Sequence, residues 1–472
     1  MAAMAAMAAM AAMAANSTAS TSAPPPAPAP QQPALTGKLV KAVDIAAPFS
    51  HEVRDLIKHR VETLSKPAPR LVGILAKPYP PSIAYAEWTK KACKDVGVQF
   101  DIWKTWDDQP ESSASSSASA SVGQNGSALP SADDIKEDYS LAADVEDLII
   151  AANADETVDG IMVYYPIFTG RQDTYLQQIV DPRKDVEGLH FSYCWNMYHN
   201  VRWILPSQLG GAPGTMSEPP PSYFEDNSVQ KPTSPSPMLG TEVNAAPGFA
   251  KSILPCTPLA IVKCLESMGM YDGHLPYGDR LSHKTVTVIN RSEVVGRPLA
   301  ALLANDGARV FSVDIDNILE FSKRAVHERR QSAAVSQEES GALGAPEGAN
   351  IEGERRRRSK AVIAAQEKIA EGRLRSAHTI KACSKTLQEC LAISDIVISG
   401  VPSASYKVKT EWVKEGATCI NFSSDKNFEP DVRSRAAQFL PAIGKTTIVM
   451  VQRNLMRLVQ YKEEIVPKAD VK

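Results

Sequence analysis

The segment VTVINRSEVVGRPLAALLANDGARVFSVDID (286–316) carries the sharpest chemical pattern in the sequence. It reads as strand, turn, helix, second strand and then acid, the layout of a dinucleotide-binding βαβ unit. A pyrophosphate would sit at the helix N-terminus, where unpaired N–H groups and the helix dipole favour negative charge. The usual GxGxxG is absent. The turn runs Asn290-Arg291-Ser292-Glu293-Val294-Val295-Gly296. Asparagine is the non-glycine residue best suited to a left-handed turn, and Gly296 allows helix and strand to pack closely. Asp314 follows Gly296 by 18 residues and ends the second strand. A carboxylate there can accept from both ribose hydroxyls. It would also repel a 2′-phosphate, so the pattern favours NAD over NADP. Arg291 argues mildly the other way, because a guanidinium can grip a phosphate. Asp314 outweighs it, since burying like charges together costs more than an idle arginine gains. Asp316 is the fallback acid, and an ordinary strand-end acid would leave the same trace.

The elements that must hold this turn alternate strand and helix. RLVGILA (70–76), VQFDIW (98–103) and DGIMVYYP (159–166) are apolar runs expected as buried strands, the last closed by Pro166. Helices are expected at 82–96, ending at Gly97, at 139–152 and at 174–180, before the acidic turn DPRKDVEG (181–188). A second block starts near Pro255 with a helix over 256–269, for which Thr257 is a plausible N-cap and Pro258 a first-turn residue. Strands follow at 284–290, 308–314, 395–401 and 417–423, with a helix over 297–305 and a closing helix from Thr446 to Tyr461. Strand–helix–strand order predicts parallel sheets covered by helices.

Composition narrows the class. The chain has 472 residues, 43% hydrophobic and 22% charged, with a formal charge of −3. Those values fit a globular protein and give no global pull toward nucleic acid or an anionic membrane. Seven cysteines without a CxxC pair read as reduced thiols, not a disulfide framework or a metal site. No apolar run is long enough to span a bilayer. The Ala/Met-rich leader has no charged residue before Lys38, which fits neither a secretory nor a mitochondrial signal. A cytoplasmic location is therefore expected. Residues 1–36, 107–131, 207–247 and 325–376 are rich in Ala, Ser, Pro or Arg and short of large apolar side chains. Such segments cannot offset their ordering entropy and read as a tail and three insertions. The run RRRR (355–358) has the type of a nuclear or nucleic-acid signal, but a solvated part of the last insertion is the expected reading.

Several phrases then coincide in order: YAEWTKKACKDVG (85–97), DGIMVYYP (159–166), DPRKDVEG (181–188), ILPCTPLAIVKCLE (253–266), the NRS-to-Gly turn and GVPSASYKVKTEWVKEGATCINF (400–422). Together they resemble the methylenetetrahydrofolate dehydrogenases, and within them the monofunctional NAD-dependent fungal type. The resemblance implies an α/β protein of two domains. The folate domain would span 37–255, interrupted at 107–131 and 207–247 and completed by the C-terminal segment 446–472. A Rossmann-like NAD domain would span 256–445, interrupted at 325–376. It also implies oxidation of 5,10-methylenetetrahydrofolate to 5,10-methenyltetrahydrofolate by hydride transfer to NAD, for one-carbon supply to purine synthesis. The family pattern is a homodimer through the cofactor domain. No metal, nucleic acid or membrane partner is implied, and polyglutamylation of the substrate is left open.

Residue roles come from the same resemblance. Tyr85 matches the active-site tyrosine that packs on the folate. Asp185 and Glu187 flank Val186 in the acidic turn, and Glu187 fills the folate-binding aspartate position. Cys256, Thr257 and Pro258 form the PCTP turn at the cleft. Gly400, Val401 and Pro402 fall on the cofactor side. PAIGKTTI (441–448) stands where the family has PGGVGPMT, keeping Gly444 and Thr447. Bifunctional relatives hydrolyse the methenyl product with a lysine four residues after the tyrosine and a glutamine at the strand end. Here those positions hold Thr89 and Tyr164, and Lys90 is about 100° further round the helix. Dehydrogenase activity with little or no cyclohydrolase activity is expected. Two alternatives stay open: an NADP-linked bifunctional enzyme, which Thr89, Tyr164 and Asp314 oppose, and a non-catalytic NAD-binding scaffold, which Tyr85 and DPRKDVEG oppose.

Overall fold

The computed structural model describes residues 36–106, 139–168, 171–209, 249–324 and 376–465. The expected tail and the three insertions lie outside the described residues, apart from a few edge positions.

The chain enters through β1 (Lys38–Leu39) and helix α1 (Ala42–Lys58), which a π-helical turn (His59–Thr63) extends. A first α/β unit follows: β2 (Arg70–Leu75), α2 (Pro80–Val96), β3 (Gln99–Lys104), α3 (Tyr139–Ala154), β4 (Gly160–Val163) and α4 (Arg171–Ile179). Its sheet is parallel, ordered β3-β2-β4. Two prolines open α2, where missing N–H groups cost nothing, and Gly97 closes it at φ +94°. Within α2, Tyr85, Thr89 and Cys93 recur at i+4 and are all buried, so one stripe of the helix faces inward. Gly73 on β2 is required by crowding: a Cβ there would stand 2.6 Å from the Phe100 ring.

A short helix α5 (Phe191–Tyr198) and the antiparallel pair β5 (Trp203–Ile204) and β6 (Ala250–Lys251) lead to α6 (Cys256–Ser267). The second unit holds β7 (Thr285–Ile289), α7 (Gly296–Asn305), β8 (Arg309–Val313), β9 (Ile318–Lys323), β10 (His378–Cys383), α8 (Leu387–Ile393), β11 (Ile396–Ser399), β12 (Thr418–Asn421) and β13 (Gln438–Leu440). Its eight-stranded sheet is ordered β1-β13-β12-β11-β7-β8-β9-β10. The six strands from β1 to β8 are parallel, whereas β9 and β10 pair antiparallel at one edge. The purely parallel expectation is corrected there. β9 and β10 flank the segment 325–375 and read as half-exposed strands rather than apolar runs, which hid them.

Long helix α9 (Gly444–Ile465) leaves the large sheet directly after β13 and packs against α1, α2 and α6. Ile448, Val449, Met450, Val451, Leu455 and Leu458 join the core beneath the first sheet, with Leu71, Tyr85 and Val186. The large sheet has its own core, built around Val286, Val288, Leu299, Leu303, Ile398 and Ile420. No helix among the described residues is long and apolar enough to cross a membrane.

Candidate active site

The large sheet reverses strand order beside β7: β8 lies on one side and β11 on the other. Ligands in open α/β sheets bind at such a switch point, outside the carboxyl ends of the strands. The two strand ends are stitched together here. Asn290 Nδ2 donates to Gly400 O at 2.6 Å, and Gly400 N donates to Ile289 O at 3.0 Å. Asn290 adopts φ +102°, the left-handed turn expected of it, and its Oδ1 accepts from Ser292 N at 2.8 Å. Ser292 Oγ faces the N–H groups of Val295 and Gly296, each at 3.4 Å. A Cβ on Gly296 would fall 1.7 Å from Asn290 O, and one on Gly400 would fall 2.0 Å from the Phe422 ring. Both glycines are therefore fixed by close approach of backbone or ring. Val401 is held on both sides: its N–H donates to Asn427 Oδ1 at 2.7 Å and its carbonyl accepts from Ser423 and Asn427. Pro402 follows on the same half-buried rim.

Asp314 stands just past β8 with its side chain 45% exposed, and Asp316 is exposed two residues on, in the β8–β9 turn. Arg291 is not idle, which corrects the sequence expectation. Its guanidinium donates to Ser312 Oγ and O and to Asn317 Oδ1 and O, and it lies 3.9 Å from Asp314.

A second group of side chains gathers where α2, β4, the acidic turn and α6 meet. The rings of Tyr85 and Tyr164 are edge to face with centroids 5.9 Å apart, and Trp88 lies 5.8 Å from Tyr85. Thr89 is fully buried and donates its hydroxyl to Tyr85 O at 2.8 Å. Lys90 is exposed, about 100° further round the helix. The Tyr164 hydroxyl is buried near Thr89, without a well-formed hydrogen bond among the described residues. Burial pushes the phenols of Tyr85 and Tyr164 well up from their ordinary value, and Tyr85 also feels Tyr164, Cys256 and Glu187.

The two turn carboxyls differ in kind. Asp185 accepts from the backbone N–H groups of Glu187, Gly188 and His190 at 2.8–3.0 Å, so it organises the turn. Burial raises it to about 6 against those hydrogen bonds. Glu187 accepts a single bond, from Val163 N to Oε2 at 3.0 Å, and burial pushes it to about 8. Glu187 O accepts from Cys256 N at 3.0 Å, which joins the acidic turn to the start of α6. That helix begins at Cys256 with Pro255 as N-cap and no side-chain cap bond. Thr257 is thus inside the first turn, beside Pro258, and not the cap; Pro255 takes that place at φ −51° and ψ 124°. Burial raises the Cys256 thiol, whose sulfur lies 3.9 Å from Thr257 Oγ1. Gly444 and Thr447 are further off in role: Gly444 opens α9, and Thr447 spends its hydroxyl on Ile443 O at 3.3 Å. Lys445 is exposed.

Sequence profiles of the tetrahydrofolate dehydrogenase/cyclohydrolase catalytic domain and NAD(P)-binding domain match residues 115–187 and 255–326. The NAD(+) methylenetetrahydrofolate dehydrogenase of Schizosaccharomyces pombe is 35% identical over 432 residues, covering 91% of this chain and 96% of that protein. The chain belongs to the tetrahydrofolate dehydrogenase/cyclohydrolase family. The NAD(+) methylenetetrahydrofolate dehydrogenase of Dictyostelium discoideum is 31% identical over 88% of this chain and 93% of its own length. The solved NAD-dependent 5,10-methylenetetrahydrofolate dehydrogenase of Saccharomyces cerevisiae matches at a TM-score of 0.61 and 34% identity, over 91% of this chain and 98% of that one. A silkworm (Bombyx mori) 5,10-methylenetetrahydrofolate dehydrogenase, at 16% identity and TM-score 0.51, shares the fold.

The hydrogen bonds of α9 show residues of this tetrahydrofolate dehydrogenase/cyclohydrolase family member that sequence reasoning missed. Asn454 on α9 is buried, and its Nδ2 donates to Val186 O at 2.9 Å and Leu254 O at 3.1 Å. It thereby clamps the acidic turn to the segment leading into Cys256. Gln452 reaches Ala92 O at 3.1 Å on the tyrosine-bearing helix, and Arg453 pairs with Glu52 at 3.0 Å. A signal existed: Gln452-Arg453-Asn454 is a polar triplet inside an apolar helix, and buried polar groups are the informative ones.

Proposed function

We propose that this protein oxidises 5,10-methylenetetrahydrofolate to 5,10-methenyltetrahydrofolate with NAD as hydride acceptor, and that it does not hydrolyse the product. The observation that carries the reading is the convergence of Tyr85, Tyr164, Glu187 and Cys256 on one wall, in a chain whose relatives are NAD-dependent enzymes of that reaction.

The residues at the switch point fit NAD. Gly296 and Gly400 leave room only for backbone, and the positive end of the α7 dipole, where the Val295 and Gly296 N–H groups meet Ser292 Oγ at 3.4 Å, suits a pyrophosphate. Asn290, Arg291, Ser292 and Val295 shape that turn, Gly400, Val401 and Pro402 form the opposite lip, and Asp314, with Asp316 beside it, offers a carboxylate to the ribose. NAD supplies the hydride acceptor when bound. The chain supplies orientation and charge. Tyr85 gives the pterin a flat apolar face, and Glu187 offers its carboxyl to the pterin's amino-amide edge. Product formation creates a cation, which favours the ionised form of a buried carboxyl. Asp185 keeps Glu187 in place through the turn backbone, and Cys256, Thr257 and Pro258 shape the adjoining wall. Gly444 and Thr447 start the helix that closes it.

Hydrolysis of the product needs a polar acid–base group beside the tyrosine. Thr89 is committed to Tyr85 O, and the Tyr164 ring fills the neighbouring space, which supports a dehydrogenase without cyclohydrolase activity. A homodimer through the large sheet, a cytoplasmic location and a role in one-carbon supply for purine synthesis follow from the family pattern. The domain division at Pro255–Cys256, with 446–472 returning to the first domain, rests on the same pattern. The test is direct. Purified protein with methylenetetrahydrofolate and NAD should build up the NADH absorbance band, with no decay of added methenyltetrahydrofolate beyond the buffer rate. No NADH from NAD, or enzymatic decay of methenyltetrahydrofolate, would overturn one half of the reading each.

A further inference from the structure

Arg291 lies in the cofactor turn beside Asp314, and its guanidinium is almost wholly engaged by the protein. Nε donates to Ser312 Oγ at 3.1 Å, Nη1 to Asn317 Oδ1 at 2.7 Å, and Nη2 to Ser312 O at 2.5 Å and Asn317 O at 3.0 Å. Its side chain is 12% exposed. The acceptors come from β8 and from the end of the β8–β9 turn, and Asp314 N closes that turn on Asn317 O at 3.0 Å. Asp314 itself lies 3.9 Å from Arg291, so the carboxylate that would take the ribose hydroxyls is backed by the guanidinium.

We infer that Asn317, assisted by Ser312, is a positioning residue for cofactor selectivity: it turns the Arg291 guanidinium away from the ribose 2′ position and behind Asp314. This rests on the proposed NAD site and deepens it. Selectivity then has two parts. Asp314 repels a 2′-phosphate, and Asn317 withholds the cation that would attract one. Withholding matters because a bidentate arginine–phosphate pair is among the strongest charge-assisted contacts, and specificity often requires removing an attraction to the wrong ligand.

The test uses adenosine 2′,5′-bisphosphate and 5′-AMP as probes, titrated calorimetrically into the full chain, so that it needs no folate chemistry. Saturable 5′-AMP binding to the unsubstituted protein checks the underlying site; its absence would sink that reading and leave no site for Asn317 to tune. In Asn317→Ala, the preference for the bisphosphate over 5′-AMP should rise by about tenfold. Adding Arg291→Ala should abolish the gain, and Asn317→Asp, which keeps an acceptor for the guanidinium, should show none. Three results would overturn the inference: an unchanged preference in Asn317→Ala, a gain that survives loss of Arg291, or loss of both probes together, which would make Asn317 a scaffold for the whole turn.

Discussion

The backbone N–H of Val163 donates to Glu187 Oε2 at 3.0 Å. This bond joins the end of β4 to the acidic turn and holds a carboxyl group beside Tyr85, Tyr164 and Cys256.

Glu187 should make the fold weaken as pH rises. Its pKa in the folded chain, about 8, lies above the ordinary 4.5 because burial disfavours the charge. Below pH 4.5 both folded and unfolded chains hold the proton, and the stabilisation is fully present. Between 4.5 and about 8 the unfolded chain releases the proton first, so stability falls with pH, and the loss is complete above that range. Urea unfolding of the protein and of Glu187→Gln at pH 5.5 and 8.5 measures this. The variant should lose less stability between the two pH values, and parallel profiles would refute the assignment. In kinetics, the same variant should raise KM for the folate by about tenfold or more while leaving KM for NAD nearly unchanged.

Asn454→Ala should cost roughly 2–3 kcal/mol, because the buried Val186 O and the part-buried Leu254 O lose their donor. Denaturant midpoints give that number. A cost below about 0.5 kcal/mol, the range of a neutral surface change, would mean that the clamp is ornamental.

Gly296→Ala should weaken NAD binding by at least about tenfold, since the new methyl group would overlap Asn290 O and push α7 from the turn. Folate binding, followed by quenching of Trp88 fluorescence, should change far less. Equal loss of both ligands would point to general unfolding instead.

Thr89→Lys should not create a cyclohydrolase by itself. Thr89 is fully buried, and a longer charged side chain there costs roughly 3 kcal/mol or more through overpacking and desolvation. Pairing it with Tyr164→Gln makes room and should recover much of that stability. Methenyltetrahydrofolate hydrolysis by the double variant and by neither single one is the expected result. Hydrolysis by Thr89→Lys alone would show that the Tyr164 ring is no obstacle.

Asp314→Ala should lower the NAD/NADP ratio of kcat/KM, chiefly by losing NAD. With Arg291 still held by Ser312 and Asn317, NADP use should rise little. A large rise in NADP turnover from this single change would contradict the clamped arginine.

Much of this was legible beforehand. Local rules placed the strands β2, β4, β7, β8, β11 and β12, because each is an apolar run buried on both faces, and they placed the turn from Asn290 to Gly296, because few sequences can make it. Other parts depended on partners remote in the chain. Helix α1 repeats Ile45, Phe49, Val53 and Ile57 at i+4, but Pro48 within it obscured the period. Helix α8 had a readable start, the Thr386/Glu389 capping box, in a stretch with little apolar periodicity. β1 is two residues long and exists only because β13 lies alongside. In the site, residue types named Tyr85 and Glu187, but that Asp185 serves the turn while Glu187 faces the wall is a matter of which N–H groups surround each. The contacts of Arg291 escape a sequence reading for the same reason: its acceptors on Ser312 and Asn317 are more than twenty residues away.

Helix α9 leaves the last strand of the large sheet and ends up beneath the small one. In the cell it is synthesised after every strand that it covers, so the small sheet waits, with Leu71 and Val186 uncovered, until the ribosome has delivered almost all of the described chain. The wall around Tyr85 and Glu187 is therefore the last part of the molecule to mature, and a nascent chain stalled before residue 444 would display an apolar face that chaperones recognise.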